Sequence, residues 1–206
     1  MIIEMRTYTL KPGGSIPIFE ERFAAALLHR QQISKLGAFW HSEVGPLNQV
    51  IHVWPYKDFA DRERIAAEAR KTGHWPPKNV RELIVTQESK ILQAAPFSPP
   101  LEERKLGNIY EIRTYTYRPG AIPTVLERWE KVIADRMKLS PLAACWYSVF
   151  GPLNQFIHIW PYENMAERTR IRAEASKLSN WPAPTSEFML KQENAIVVPA
   201  PFSPLH

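Results

Sequence analysis

The run Gly-Pro-Leu-Asn-Gln-Val-Ile-His-Val-Trp-Pro-Tyr, Gly45 to Tyr56, returns as Gly-Pro-Leu-Asn-Gln-Phe-Ile-His-Ile-Trp-Pro-Tyr, Gly151 to Tyr162. Other pairs keep the same order along the chain: Glu4-x-Arg6-x-Tyr8 with Glu111-x-Arg113-x-Tyr115, Trp75-Pro76 with Trp181-Pro182, and the Ala-Pro-Phe-Ser-Pro runs at 95–99 and 200–204. Such a chain is a tandem duplication, so its fold must be built from two like halves. The 206 residues divide into a first repeat over 1–100, a charged, proline-flanked linker over 101–108 and a second repeat over 109–206.

Within a repeat the patterns alternate in kind. Ile3 to Leu10 is rich in β-branched and aromatic residues and stops at Pro12-Gly13, which reads as a strand closed by a turn. From Ile16, the apolar residues Ile16, Phe19, Phe23 and Leu27 recur at helical spacing between charged residues. Two further strands, Leu36 to Val44 and Gln49 to Trp54, are joined by the turn-forming Gly45-Pro46-Leu47-Asn48. Asp58 then offers an N-cap to an alanine-rich helix, and a last strand is expected around Leu83 to Leu92. The second repeat copies each element.

Strand, helix, strand, strand, helix, strand is the ferredoxin-like arrangement, an antiparallel sheet with both helices on one face. The other face needs a cover. Two such units supply it for each other, so the expected fold class is α+β, with two ferredoxin-like β-α-β-β-α-β repeats forming an intrachain dimeric α+β barrel. The proline-dense tails should run extended over a surface.

Composition narrows the function classes. Hydrophobic residues make up 45% of the chain and charged residues 23%, as in an ordinary globular protein with enough apolar mass for a core. Its 26 basic residues are interleaved with 21 acidic ones, and no basic stripe, zinc-finger spacing or RNA-binding motif accompanies the net charge of +5, so nucleic acid is not an expected partner. No apolar run is long enough for a membrane helix. The single cysteine, Cys145, lies in the apolar run Leu142 to Trp146 and reads as a small buried hydrophobe in a reducing, cytoplasmic setting. No phosphate loop, nucleophile elbow or metal-ligand spacing is present, so no cofactor is implied.

Taken together, Glu4-x-Arg6-x-Tyr8 with Pro12-Gly13, the Gly45 to Asn48 turn, His52-x-Trp54 with Tyr56 and the terminal Phe97-Ser98-Pro99 resemble the NIPSNAP domain of the dimeric α+β barrel superfamily. The resemblance covers nearly the whole of each repeat. It implies a ferredoxin-like unit that pairs across a barrel and carries no assigned reaction. Related barrels include cofactor-independent monooxygenases and haem enzymes, a link of fold alone.

Strand parity then suggests a site. On the third strand Asn48, Val50, His52, Trp54 and Tyr56 share one face and Gln49, Ile51 and Val53 the other. With Ile51 and Val53 taken to lie under the helices, His52 and Trp54 would line the barrel with Arg6, Tyr8 and Trp40, and His158, Arg113, Tyr115, Trp146, Asn154, Trp160 and Tyr162 would repeat the set. Aromatic walls with a few polar groups describe a site for a small hydrophobic or aromatic ligand, and Arg6 and His52 suit an anionic or phenolic one.

Three functions follow from this expectation. The first is ligand binding in a barrel cavity. The second is a cofactor-independent monooxygenase-like enzyme with His52 or His158 as acid or base and Arg6 or Arg113 holding an oxyanion. The third is a non-catalytic interaction module, in which Glu4 and Arg6 form only a structural ion pair; in all three, further homo-oligomerisation of the barrel is compatible with the sequence. The halves differ at Phe23/Trp129, His41/Tyr147, Val50/Phe156 and His74/Asn180, so only one half need serve.

Overall fold

A computed structural model describes residues 1–206. The first repeat runs β1 (Ile2–Leu10), α1 (Ser15–Arg30), β2 (Ala38–Val44), β3 (Gln49–Tyr56), α2 (Phe59–Lys71) and β4 (Ile84–Ala94). The second runs β5 (Ile109–Tyr117), α3 (Ile122–Met137), β6 (Ala144–Phe150), β7 (Gln155–Tyr162), α4 (Met165–Ala175) and β8 (Met189–Pro199). Asp58 and Asn164 cap α2 and α4 by accepting from the backbone N–H of Asp61 and Glu167. Asn48 and Asn154, in the β2–β3 and β6–β7 turns, stand at φ 56° and 58°, the left-handed conformation that asparagine tolerates better than most residues.

All strands join one closed barrel in the order β1-β3-β2-β8-β5-β7-β6-β4, every pairing antiparallel. Each repeat contributes its own four-stranded sheet, and β2 to β8 and β4 to β6 close the seams. This is the expected α+β barrel, built within one chain.

The barrel interior is solid. Ile3, Met5, Trp40, Ile51, Val53 and Leu92 meet Ile112, Trp146, Ile157, Ile159 and Val197 in one cluster drawn from both sheets. An eight-stranded barrel is only wide enough for side chains to fill it. Leu205 of the C-terminal tail is buried in the same cluster, and Leu101 and Leu106 of the linker pack against it. The linker and tail also form a short parallel bridge, Arg104 to Leu205, so both act as structural closures of the barrel.

Two further cores lie outside the barrel, one under each repeat's helices. Here the repeats exchange their tails. Phe97, at the end of the first repeat, stacks on Trp129 of the second, with ring centres 6.5 Å apart, and Phe202 stacks on Phe23 of the first at 5.8 Å. The serines that follow add a hydrogen bond each way: Ser98 Oγ accepts from the Cys145 amide at 3.0 Å and Ser203 Oγ from the Phe39 amide at 2.9 Å. The tails therefore pack a half-buried aromatic residue against the core of the partner repeat instead of merely running over a surface. Cys145 is a free, buried thiol, as expected.

Candidate functional site

The register of β1 against β3 places Arg6 opposite His52, Glu4 opposite Trp54 and Tyr8 opposite Val50, so these residues share one face of the sheet, as sequence parity requires. That face is the outer one, under α1 and α2. Ile51 and Val53 point into the barrel, the reverse of the expected assignment. The physical reason is that the sealed compartment of this fold is the barrel interior, whose core holds uncharged, largely apolar side chains. The helix layer has a gap to solvent and a second set of charges from α2, so it is the layer that accepts Glu4 and Arg6. A shift of one residue in facing moves every side chain on the strand.

Two corrections follow. There is no aromatic-lined cavity inside the barrel; Trp40 and Trp146 are part of its apolar filling, because Phe39 and Cys145, not the tryptophans, stand opposite His52 and His158. Asn48 and Asn154 serve their turns instead of a pocket: their carbonyls accept from the Leu10 and Tyr117 amides.

The cavity lies between the sheet and helices of the first repeat, with a volume of about 380 Å³. β1 contributes Glu4, Arg6 and Tyr8, and β3 contributes His52, Trp54 and Tyr56. The helices add Phe19, Phe23 and Arg30 from α1, and Arg62, Ala66 and Arg70 from α2, while the α2–β4 connection brings Trp75, Pro76 and Val80 over the mouth. Five of the sequence-identified residues, Arg6, Tyr8, His52, Trp54 and Tyr56, therefore do converge on one space. Arg30, Arg62 and Trp75 were not among them. The α1 and α2 arginines could be found only from the packing, since on the sequence they read as the solvated side of amphipathic helices.

Charge pairing in this layer is uneven. Glu4, 2% exposed, accepts from Arg62 Nε at 3.2 Å and Nη2 at 2.8 Å, from Ser89 Oγ at 2.8 Å and, at a longer 3.4 Å, from Arg6 Nη1. Burial alone would raise its pKa, but the Arg62 and Ser89 hydrogen bonds and the Arg6 charge outweigh burial and hold the carboxyl below its usual 4.5. Glu4 is thus spent mainly on Arg62, leaving Arg6 loosely held. Tyr8 and Tyr56 are raised by burial, Tyr56 to about 12, so both remain neutral hydroxyls.

His52 is 2% exposed and framed by Tyr8, Phe23, Phe39 and Trp54, with ring centres 4.9 to 6.1 Å away. Trp54 Nε1 donates to His52 Nδ1 at 2.7 Å. Indole nitrogen only donates, so Nδ1 is an acceptor and the proton of the neutral ring sits on Nε2, which has no partner. Burial, reinforced by the Arg6 charge, pushes the pKa well below 6.5. The same hydrogen bond, 2.7 Å, ties Trp160 to His158, whose pKa is likewise lowered by burial and by Arg113. Burial favours the neutral ring in both histidines and tryptophan occupies the Nδ1 lone pair, so each presents its Nε2–H as a hydrogen-bond donor.

In the second repeat the same frame carries larger side chains. Trp129 stands for Phe23, and Arg172 stands for Ala66 and reaches Glu111 at 3.9 Å. Arg113 donates to Glu111 at 2.9 Å and to the Tyr115 hydroxyl at 2.8 Å, and β7, with Trp160 and Tyr162, is buried along its whole length.

No group of three or more histidine, cysteine, aspartate or glutamate side chains is arranged to hold a metal ion, and no helix is long and apolar enough to cross a membrane.

Against known proteins, the NIPSNAP family profile matches twice, at residues 3–99 and 110–204. A NipSnap homolog from Dictyostelium discoideum is 30% identical over 208 residues, spanning 96% of this chain and 87% of that protein. NipSnap homolog 3B of Homo sapiens is 27% identical, spanning 98% and 85%. Among solved structures, a putative monooxygenase from Lactobacillus acidophilus superposes with a TM-score of 0.67 at 11% identity, covering 96% of this chain and 93% of its own. An anthrone oxidase-like protein gives 0.63 at 9% identity, covering 97% and 91%. These two share the fold.

Proposed function

The chain belongs to the NIPSNAP family, and from the layer between sheet and helices of its first repeat we propose that it binds a small aromatic molecule bearing an anionic or phenolic group. The observation that carries this reading is the cavity of about 380 Å³ beside His52, whose Nε2–H has no partner within the protein. Ligand sites of roughly 300 to 1,000 Å³ with apolar walls and a few fixed polar groups are the rule for small molecules. Phe23, Trp54 and Trp75 supply the walls, and arginines outnumber carboxylates around them. A cytoplasmic setting fits the single free thiol of Cys145.

The test is a titration of the intact chain with 1-naphthol, followed by tryptophan fluorescence and calorimetry. Binding at one site per chain, weakened at least about tenfold by Trp54→Ala, supports the reading; tenfold corresponds to about 1.4 kcal/mol. Saturable binding that survives Trp54→Ala and Phe23→Ala together would place the ligand elsewhere and sink it.

A second reading uses the same cavity for cofactor-independent oxidation, in keeping with how the two fold neighbours are described. An activated ring methylene would become a carbonyl, one atom of O₂ entering the product and the other leaving as water. The His52 Nε2–H and Arg6 are suited to steady the oxyanion of such a substrate. Oxygen uptake that depends on an anthrone-type substrate, without added flavin or metal, would separate this reading from binding alone.

A further inference from the structure

Arg30 is the one buried cation of the cavity with no counter-charge. It is 3% exposed, lies 4.6 Å from the centre of the Trp54 ring and 5.6 Å from Trp75, and forms no salt bridge. Its only hydrogen bond is a long 3.4 Å contact from Nη2 to the Tyr56 hydroxyl, while Nε and Nη1 are buried without partners. Glu4 and Glu68 act on it from beyond ion-pairing distance, and burial lowers its pKa from the ordinary arginine value. A buried charge is ordinarily paired.

The counterpart in the second repeat is satisfied. Arg136, also 3% exposed and 4.1 Å from the Trp160 ring centre, donates from Nη1 to Ser140 Oγ at 2.9 Å and contacts the Tyr162 hydroxyl at 3.4 Å. None of its nitrogens is left buried and unpartnered. The first repeat has Ser34 at the place of Ser140, yet the Arg30 guanidinium makes no bond to the Ser34 hydroxyl and faces the cavity instead. The same sequence position is therefore closed in one half and open in the other.

We infer that Arg30 is the specificity-determining anchor of the cavity, and that the ligand is an aromatic carboxylic acid bound once per chain, its carboxylate on the Arg30 guanidinium and its ring among Phe23, Trp54 and Trp75. A guanidinium laid beside an indole keeps edge N–H groups free for an oxyanion, which an ammonium would do less well. This rests on the reading of the cavity as a ligand site and names the class of molecule it takes.

The experiment compares 1-naphthoate with its neutral isostere 1-naphthamide on the intact chain. Naphthoate should bind at one site per chain and at least about tenfold more tightly than the amide, a difference of about 1.4 kcal/mol. Arg30→Gln and Arg30→Met, checked for folding by thermal melting, should remove that preference while leaving amide binding in place; Arg136→Met should change neither. Should both Arg30 variants fail to fold, Arg6→Gln decides the matter: a preference for naphthoate retained in that variant supports Arg30 as the anchor, and one abolished by it moves the anchor to Arg6. Equal affinity for acid and amide would overturn the anchor while leaving the cavity as a ligand site. A preference that persists in both Arg30 variants would move the anchor to another cation such as Arg6. Absence of binding by either probe would overturn the cavity reading itself, and two sites per chain would overturn the asymmetry.

Discussion

Between sheet and helices, the first repeat holds Phe23 and Ala66 where the second holds Trp129 and Arg172, and Arg30 with only a long bond to Tyr56 where Arg136 is fixed by Ser140 as well. Around these differences the frame is the same: each sheet presents Glu, Arg and Tyr beside His and Trp, with Trp54 or Trp160 donating to the neighbouring histidine. Duplication thus produced two copies of one polar-aromatic layer. In the second copy larger side chains and a serine bond to the buried arginine tighten the layer, though the His158 Nε2–H stays unpartnered as in the first; in the first, open volume and an unanchored guanidinium remain. The residues that look like a site are in both halves, so what distinguishes the first from the second here is the volume left open and whether the buried arginine is satisfied.

The sharpest way to break this comparison is at the buried carboxylates. Glu111, 0% exposed, serves Arg168, Arg113 and Asn194, whereas Glu4 holds Arg62 and Ser89 closely and Arg6 only loosely. Glu111→Gln should cost about 3 kcal/mol in denaturant unfolding, because it leaves two partly buried cations, Arg113 and Arg168, without their counter-charge. Glu4→Gln should cost less, roughly 2 kcal/mol, nearer the value of hydrogen bonds to a charge. Equal costs would show that the two layers are equally closed.

Next in size is a graft of the closed half onto the open one. Phe23→Trp with Ala66→Arg should leave the melting temperature within a few degrees and weaken 1-naphthoate binding at least about a hundredfold, or about 2.7 kcal/mol. Unchanged affinity with an intact fold would mean that the ligand does not enter between sheet and helices of the first repeat.

The smallest effect at neutral pH is electrostatic. His52 and His158 are neutral in the fold, with pKa values pushed below 6.5 by burial, so the unfolded chain binds more protons below that pH. Stability should be flat above pH 6.5 and fall as the pH drops through 6.5 toward the lower folded values. Below pH 4.5, Glu4 and Glu111, held down by their arginine partners, lose stability in the same direction. Melting followed from pH 7 to 5 in the wild type and in His52→Asn with His158→Asn should show the first decline only in the wild type; identical slopes would remove the histidines as its source.

The family, the duplication and the element order were legible from spaced motifs and periodicity, and the β-strand parity correctly grouped Arg6 with Tyr8 and His52 with Trp54 and Tyr56. Parity alone gives two faces without saying which is inside. Choosing the face under the helices by its aliphatic residues put Trp40 and Trp146 in the wrong company, because the most exclusive apolar space in this architecture is the closed barrel. Arg30, Arg62 and Ala66 were invisible for a related cause: on a helix, sequence shows which residues share a stripe, but the depth of a long side chain depends on what is packed over it. Here Trp54 and Trp75 bury a guanidinium that periodicity would leave in water.

What the sequence by itself determined is therefore local and repetitive: which residues form strands, which side chains share a face, where the turns must fall, and that all of it occurs twice. Tertiary structure alone decided which face is sealed, which tail enters which repeat, and which of two equivalent arginines keeps a partner. Those outcomes depend on closing the barrel and on filling volume between layers, and both are sums over residues far apart in the chain, which no single stretch encodes.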